Sequence, residues 1–200
     1  KELTLDHFYH HKKKKKGFPK TSLPSVHDFV EAFTPALEAG KDILSLHITH
    51  TLSGSMQSAL TAKLMLEEEF PNAKIHIVDS HNATGSQALL LMEAARMQQE
   101  GKSLEEVVSY LEQAKKDTRI IFMIGGLTHL QHGGRIGKIA ALSSNILKIK
   151  PIIVLRDGEI HVGGATRSRK KGIAELVKLT ADHFQKSGEN PADYIAMVGT

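Results

Sequence analysis

Short apolar runs, each passing at once into a polar loop and then a helical stretch, set the tightest limit on what this chain can fold into. Residues 43–48 carry Ile43, Leu44, Leu46 and Ile48, and residues 74–78 carry Ile75, Ile77 and Val78. The first run gives way to Thr49-His50-Thr51-Leu52-Ser53-Gly54-Ser55, the second to Asp79-Ser80-His81-Asn82. A helical stretch follows each loop. The first stops before Pro71, and the second, over 85–99, is closed by Gly101. Strands alternating with helices of roughly 10–15 residues predict a sheet with helices on its faces. The expected class is α/β, with mainly parallel sheets, flanking helices and two lobes holding a ligand cleft between them. The expected lobes are residues 1–84 and 85–200.

The remaining punctuation fits that frame. Ser25 with Asp28, and Ser103 with Glu106, have capping-box spacing and predict helix starts. Val26, Phe29, Val30 and Phe33 give the first of these helices its apolar face, and Gly40 ends it. Leu5, Phe8 and Tyr9 predict a helix over 2–15, followed by a loop over 17–24 bracketed by Gly17, Pro19 and Pro24. Residues 119–124 predict a strand and 136–147 a helix. Residues 149–155 and 159–162 predict a hairpin turning on Asp157-Gly158. A long helix over 167–185 and a last strand over 194–198 complete the pattern.

Composition excludes several classes. There is no cysteine, hence no disulfide scaffold, thiolate metal site or cysteine nucleophile. That fits a reducing cytoplasm, the expected location. No apolar run reaches the roughly 18 residues of a helical membrane span, so stable insertion is not expected and any membrane contact is a transient surface one. Five lysines occupy 12–16, more positive charge than the net +4 of the whole chain, so the remainder is slightly acidic. Its basic character is therefore local, and a run of this kind reads as a solvated face. Aromatic residues make up 5%, with no tryptophan, which leaves few platforms for stacking nucleic-acid bases. His7 with His11, and His129 with His132, have helical spacing, but no carboxylate joins either pair, so no metal is expected.

In open α/β sheets ligands gather beyond the carboxyl ends of strands. Thr49, Thr51, Ser53 and Ser55 stand in that place, and Thr21, Ser22 and Ser25 precede the helix leading into the first strand. The first cluster also opens a helix, whose free N–H groups and positive dipole end favour an anion. Gly54 lets a group approach the backbone closely. The alternative is that these hydroxyls serve as caps and loop residues alone. Arg135 follows Gly133-Gly134 and begins a helical stretch, as a hydrogen-bonding strut or an anion-binding group. Arg167, Arg169, Lys170 and Lys171 crowd a helix start, where the dipole disfavours cations, and fit a docking surface for an acidic partner.

Five stretches in order resemble the DegV family of bacterial fatty-acid-binding proteins. Residues 48–59, Ile48-Thr49-His50-Thr51-Leu52-Ser53-Gly54-Ser55-Met56-Gln57-Ser58-Ala59, are similar to the family's I-S-S-x-L-S-G-T-Y-Q-S-A. Thr21-Ser22-Leu23-Pro24-Ser25 resembles T-S-Q-P-S, with Leu23 in place of glutamine. Val78-Asp79-Ser80, the stretch from Leu127 through Gly133-Gly134-Arg135-Ile136, and Ile149-Lys150-Pro151-Ile152 complete the set. The resemblance implies a long-chain fatty acid buried between two α/β lobes. It implies a carboxylate held by Thr21 and Ser53, with Arg135 and Gly54 supporting the head-group region. It also implies presentation of that acid to an ATP-dependent fatty acid kinase subunit, with the phosphoryl chemistry on the partner and no cofactor here. Arg167 and Arg169 would form the docking surface. The family's opening strand with D-S-T and its closing H-T-G-P-G are absent from these residues, so each lobe is expected to lack one piece.

Two rival functions make different demands. A serine-dependent hydrolase or phosphotransferase using Ser53 needs a positioned base, for which His47, His50 and His81 are the strand-end choices. A nucleic-acid-binding module using Lys12 through Lys16 would show steep salt dependence.

Overall fold

Ser25 and Asp28 cap each other: the Ser25 hydroxyl accepts the Asp28 N–H, and the Asp28 carboxylate accepts the Ser25 N–H at 2.6 Å. This capping box opens α1, Val26–Glu38, as the spacing predicts. A computed structural model of the chain describes residues 4, 6, 10, 18, 20–135 and 149–199. The helix expected over 2–15 is described only at isolated positions, and the lysines at 12–16 and the helix expected over 136–147 lie outside the described residues.

After α1 come β1 (Ile43–His47), α2 (Ser55–Glu69), β2 (Ile75–Asp79), α3 (Thr84–Gln99) and α4 (Leu104–Asp117). β1 and β2 pair in parallel, from Ile43 opposite Ile75 to His47 opposite Asp79. Period-two alternation sorts β1 between two cores. Ile43 joins Phe33, Leu37, Leu66 and Ile75 beneath α1 and α2. Leu44 and Leu46 face the other way, onto Leu90, Ala94, Val107 and Leu111 of α3 and α4. Each fully buried side chain of this size contributes about 1.5–3 kcal/mol relative to exposure. Helices thus cover both faces of this sheet.

The chain then forms β3 (Ile120–Met123), α5 (Thr128–His132), β4 (Lys150–Arg156), β5 (Glu159–Thr166) and α6 (Arg169–Ser187). The second sheet, in order β3-β4-β5, is antiparallel at both junctions. The α/β class is therefore as expected, but parallel pairing is found in the first sheet only. The reason is local. Asp157 and Gly158 take φ of 52° and 77°, the paired left-handed geometry that folds β4 back directly onto β5. Phe122, Ile153 and Ile160 turn one face of this sheet toward Leu127 and Leu130. α6 lies against the sheet through buried Gly172, where a Cβ would collide with Met123 Sδ and stand 2.9 Å from Thr166 Cγ2.

Two further differences from the sequence reading have physical causes. Residues 194–198 form no strand: a short 3-10 turn at Pro191–Asp193 leads into a stretch with Ile195 73% and Val198 91% exposed, and no described strand runs beside it. The last long helix starts at Arg169, because the Ser168 hydroxyl accepts the Lys171 N–H and caps it, which leaves Arg167 in the approach. α3 and α4 pack on β1 and β2 through the core around Leu90 and Leu111.

Candidate functional site

A cavity of about 860 Å³ lies between the two sheets, within the roughly 300–1,000 Å³ of small-molecule sites. Leu46 and Ile48 of the first sheet form one apolar wall, and Ile120, Phe122, Leu155 and Ile160 of the second form the other. Polar groups enter from the loops: Thr21 and Ser22, Ser53 and Ser55, and Arg135. Three of the residues singled out from the sequence, Thr21, Ser53 and Arg135, therefore share one cavity, although 114 residues separate the first from the last.

Each arrives there for a local reason. Gly54 is the seat that brings the two hydroxyl loops together: a Cβ on it would stand 3.1 Å from Leu23 Cδ2, so Leu23 of the Thr21 loop packs onto its bare backbone. The Ser53 hydroxyl accepts the Ser55 N–H at 3.2 Å. Arg135 acts as a strut, its Nε donating to the Leu52 carbonyl at 3.1 Å and its Nη1 to the Gly133 carbonyl. That strut ties the Gly133-Gly134 loop to the loop after β1.

Two helix starts also face the cavity. Ser55 begins α2 and Thr84 begins α3, and both residues line it. The N-cap residues Gly54 and Ala83 supply no side-chain cap, although at α2 the Ser53 hydroxyl takes the Ser55 N–H, and neither helix has an acidic residue in its first turn. The first-turn N–H groups that remain and the positive dipole ends make this end of the cavity favourable to an anion.

Sequence reasoning named His47 only as a possible base for Ser53 and missed Ser45 and Gln87 beside it. His47 lines the cavity while only 6% exposed, and its Nε2 shares a hydrogen bond with Ser45 Oγ at 2.8 Å. Phe29 packs near its ring, with centroids 5.3 Å apart. Burial pushes the His47 imidazole below its ordinary pKa, against the pull of the Asp79 carboxylate. Gln87 Nε2 reaches the Leu46 carbonyl at 3.0 Å from α3. Two polar residues two apart within an apolar strand, Ser45 and His47, were the available signal that this face is not simple core.

A second cluster clamps the two sheets together. The tip of the β4–β5 hairpin is inserted between the loops that leave β1 and β2. Gly158 is buried, its carbonyl accepts the Thr49 hydroxyl at 3.1 Å and the Thr51 hydroxyl, and its N–H donates to the His81 carbonyl at 3.1 Å. Asp79 organises both loops. Its carboxylate accepts the His50 N–H at 3.2 Å, the His50 ring nitrogen Nδ1 at 2.5 Å and the His81 N–H at 2.8 Å. Burial alone would raise the Asp79 carboxyl, but the bonds from His50 and His81 outweigh it and hold it below the usual carboxylate range.

The other sequence candidates stand apart from the cavity. Arg167, Arg169, Lys170 and Lys171 are exposed at the start of α6, with no ion-pair partner among the described residues. His132 donates through Nδ1 to the Thr128 carbonyl of its own helix and stacks on Phe18. Among the described residues there is no group of three or more potential metal ligands, and no helix long and apolar enough to cross a membrane.

Comparison with known proteins gives this arrangement relatives. The family model described as "Uncharacterised protein, DegV family" matches residues 1–199. A DegV domain-containing protein of Clostridium perfringens is 38% identical over 192 residues, 95% of this chain and 64% of its own length. Another, of Clostridium acetobutylicum, is 34% identical over 188 residues, 94% of this chain and 66% of its own. A fatty acid (stearic acid)-binding protein from Eubacterium ventriosum superposes with a TM-score of 0.85 at 36% identity, covering 92% of this chain and 64% of that one. The linoleic-acid-loaded Fatty Acid Kinase (Fak) B3 protein of Streptococcus pneumoniae superposes with a TM-score of 0.76 at 29% identity, covering 92% and 64%. The chain thus spans just under two thirds of the length of these relatives. Motif order, fold and a match along nearly every residue agree, and this chain belongs to the DegV family.

Proposed function

We propose that this chain binds a long-chain fatty acid in the cavity between its sheets and presents the carboxylate to an ATP-dependent kinase subunit. The observation that carries the reading is one cavity with apolar walls from both sheets and one polar end formed by Thr21, Ser53, Arg135 and two helix starts without acidic residues. Such an end holds a carboxylate with hydroxyls and backbone N–H groups, while the walls gain roughly 0.8 kcal/mol per methylene buried. Thr21 and Ser53 hold the carboxylate, and Arg135 and Gly54 support the head-group region. The fatty-acid-binding relatives support the ligand class, and the Fak B3 neighbour supports the kinase partner. The packing of α3 and α4 favours lobes that divide between Asp117 and Ile120. A Ser53-dependent hydrolase is less well supported, because among the described residues no histidine is hydrogen-bonded to the Ser53 hydroxyl.

Native mass spectrometry of the protein from a bacterial host tests the ligand class. A co-purified mass of a long-chain acid is expected. A protein that carries no such mass and takes up none when it is offered would overturn the reading.

The cations at the start of α6 are proposed as the docking surface for an acidic face of the kinase subunit. Arg167→Glu should slow association with that subunit, more at low salt than at high, because rim charges act mainly on the on-rate. Lipid occupancy should not change. If the reversal empties the cavity and spares association, the two roles are reversed.

A further inference from the structure

Among the described residues lining the cavity, two are ionisable, Arg135 and His47. Arg135 is exposed and already spends its Nε and Nη1 on backbone carbonyls. His47 is different. It is more than nine-tenths buried, one ring nitrogen is engaged by Ser45, and the other, Nδ1, has no hydrogen-bond partner among the described residues. A ring nitrogen left unengaged on a cavity wall is open to water or to a ligand that can bond it there.

The groups around the ring define what it can do. From α1 comes Phe29, which is apolar. From β2 comes Asp79, opposite His47 in the sheet register, but its carboxylate is saturated by His50 and His81. The start of α2 brings Ser55, and α3 brings Thr84 and Gln87, none of them charged. The second sheet contributes apolar side chains to the cavity. Arg135 is the one cation among the lining residues, and Asp79 is the carboxylate that acts on the ring.

We propose that an acid bound in this cavity is received as an ion pair with His47, which takes up a proton from solvent as the ligand enters. This rests on the fatty-acid reading of the site. In the lipid-free protein burial favours the neutral imidazole. A carboxylate brought into the same low-dielectric space favours the protonated ring, because an unpaired anion there is costly. The proton comes from water and resides on the ring. The imidazolium then donates through Nε2 to Ser45 and through Nδ1 to the carboxylate. His47 is thus a specificity residue that distinguishes an acid from an uncharged lipid of the same length. Its pKa is low when free and higher when bound. Affinity for the acid should therefore be flat above the bound value, tighten by up to about tenfold per pH unit as pH falls between the two values, and level off below the free one.

The experiment is calorimetric titration of lipid-stripped protein with a long-chain fatty acid and, separately, with the matching fatty alcohol. Each is run near pH ~6.5, an ordinary histidine value, in two buffers of different ionisation enthalpy. The acid should bind with uptake of a substantial fraction of one proton and the alcohol with none. His47→Gln keeps a hydrogen-bonding side chain that cannot protonate. It should still bind the alcohol as the wild type does, bind the acid more weakly, and take up no proton. Acid binding without proton uptake in the wild type, or equal uptake in His47→Gln, overturns the proposal. Failure of both acid and alcohol to bind overturns the fatty-acid reading and this inference with it. Should His47→Gln not fold, the imidazole resonances of wild-type His47 decide: its pKa must rise when the acid is added, and an unchanged value overturns the proposal.

Discussion

Gly158→Val should destabilise the protein by about 2–5 kcal/mol, the sum of a left-handed backbone penalty of roughly 1–2 and an overpacking cost of roughly 1–3. Gly158 holds φ at 77°, and a Cβ there would stand 2.8 Å from Thr49 Oγ1. A β-branched side chain meets both problems and cannot turn away, because the tip is buried between two loops. Chemical denaturation followed by circular dichroism measures the loss. Turn strain and lost docking are separated by a double-mutant cycle with Thr49→Ala, which removes the hydroxyl that the new Cβ would strike. A cost within about 0.5 kcal/mol of zero, the range of ordinary surface substitutions, would mean that the hairpin tip is not seated as described.

Thr21→Ala combined with Ser53→Ala should weaken fatty-acid binding by about 3–6 kcal/mol, since each hydroxyl gives one hydrogen bond to a charged acceptor at roughly 1.5–3 kcal/mol. Thr21 is exposed and Ser53 half-buried. The Ser53 hydroxyl also takes the Ser55 N–H at the start of α2, so a small loss of helix stability accompanies the loss of affinity. Calorimetry on lipid-stripped protein gives the affinity, and far-ultraviolet circular dichroism shows that the fold survives. A double variant that binds like the wild type would remove both residues from the head-group site.

Much of the fold was legible because local chemistry agreed with it. Ser25–Asp28 and Ser103–Glu106 cap their helices as their spacing predicts, and Asp157-Gly158 turns its hairpin. These signals act within a few residues and need no knowledge of the rest of the chain. Residues 194–198 misled for the opposite reason. Tyr194, Ile195, Met197 and Val198 have strand-like composition, but composition does not lay a segment along a sheet edge, and here Met197 approaches Gly85 of α3 instead. The cavity was half legible. Hydroxyl loops at strand ends pointed to Thr21 and Ser53. That Leu23 rests on Gly54, that Arg135 reaches Leu52, and that Thr49 meets Gly158 are contacts between distant segments, which spacing along the chain does not encode. Thr49 and Thr51 were grouped with Ser53 by sequence; the fold gives them a different task, holding the hairpin rather than lining the cavity.

The contact between Thr49 and Gly158 spans 109 residues of chain. Closing so long a loop carries an entropic cost that grows only with the logarithm of its length, about 4 kcal/mol before a constant term. The hydrogen bonds at the hairpin tip return roughly 0.5–1.5 kcal/mol each, a sum of the same order. Each wall of the cavity, by contrast, is built from neighbours: α1, α2 and the parallel pair on one side, a hairpin with α6 on the other. The walls are therefore robust objects joined by a nearly balanced seam. A molecule that touches both of them tips that balance toward closure by its own binding free energy. A ligand bound in such a cavity would in this sense be a structural member of the protein, and removing it should loosen the joint between the two walls.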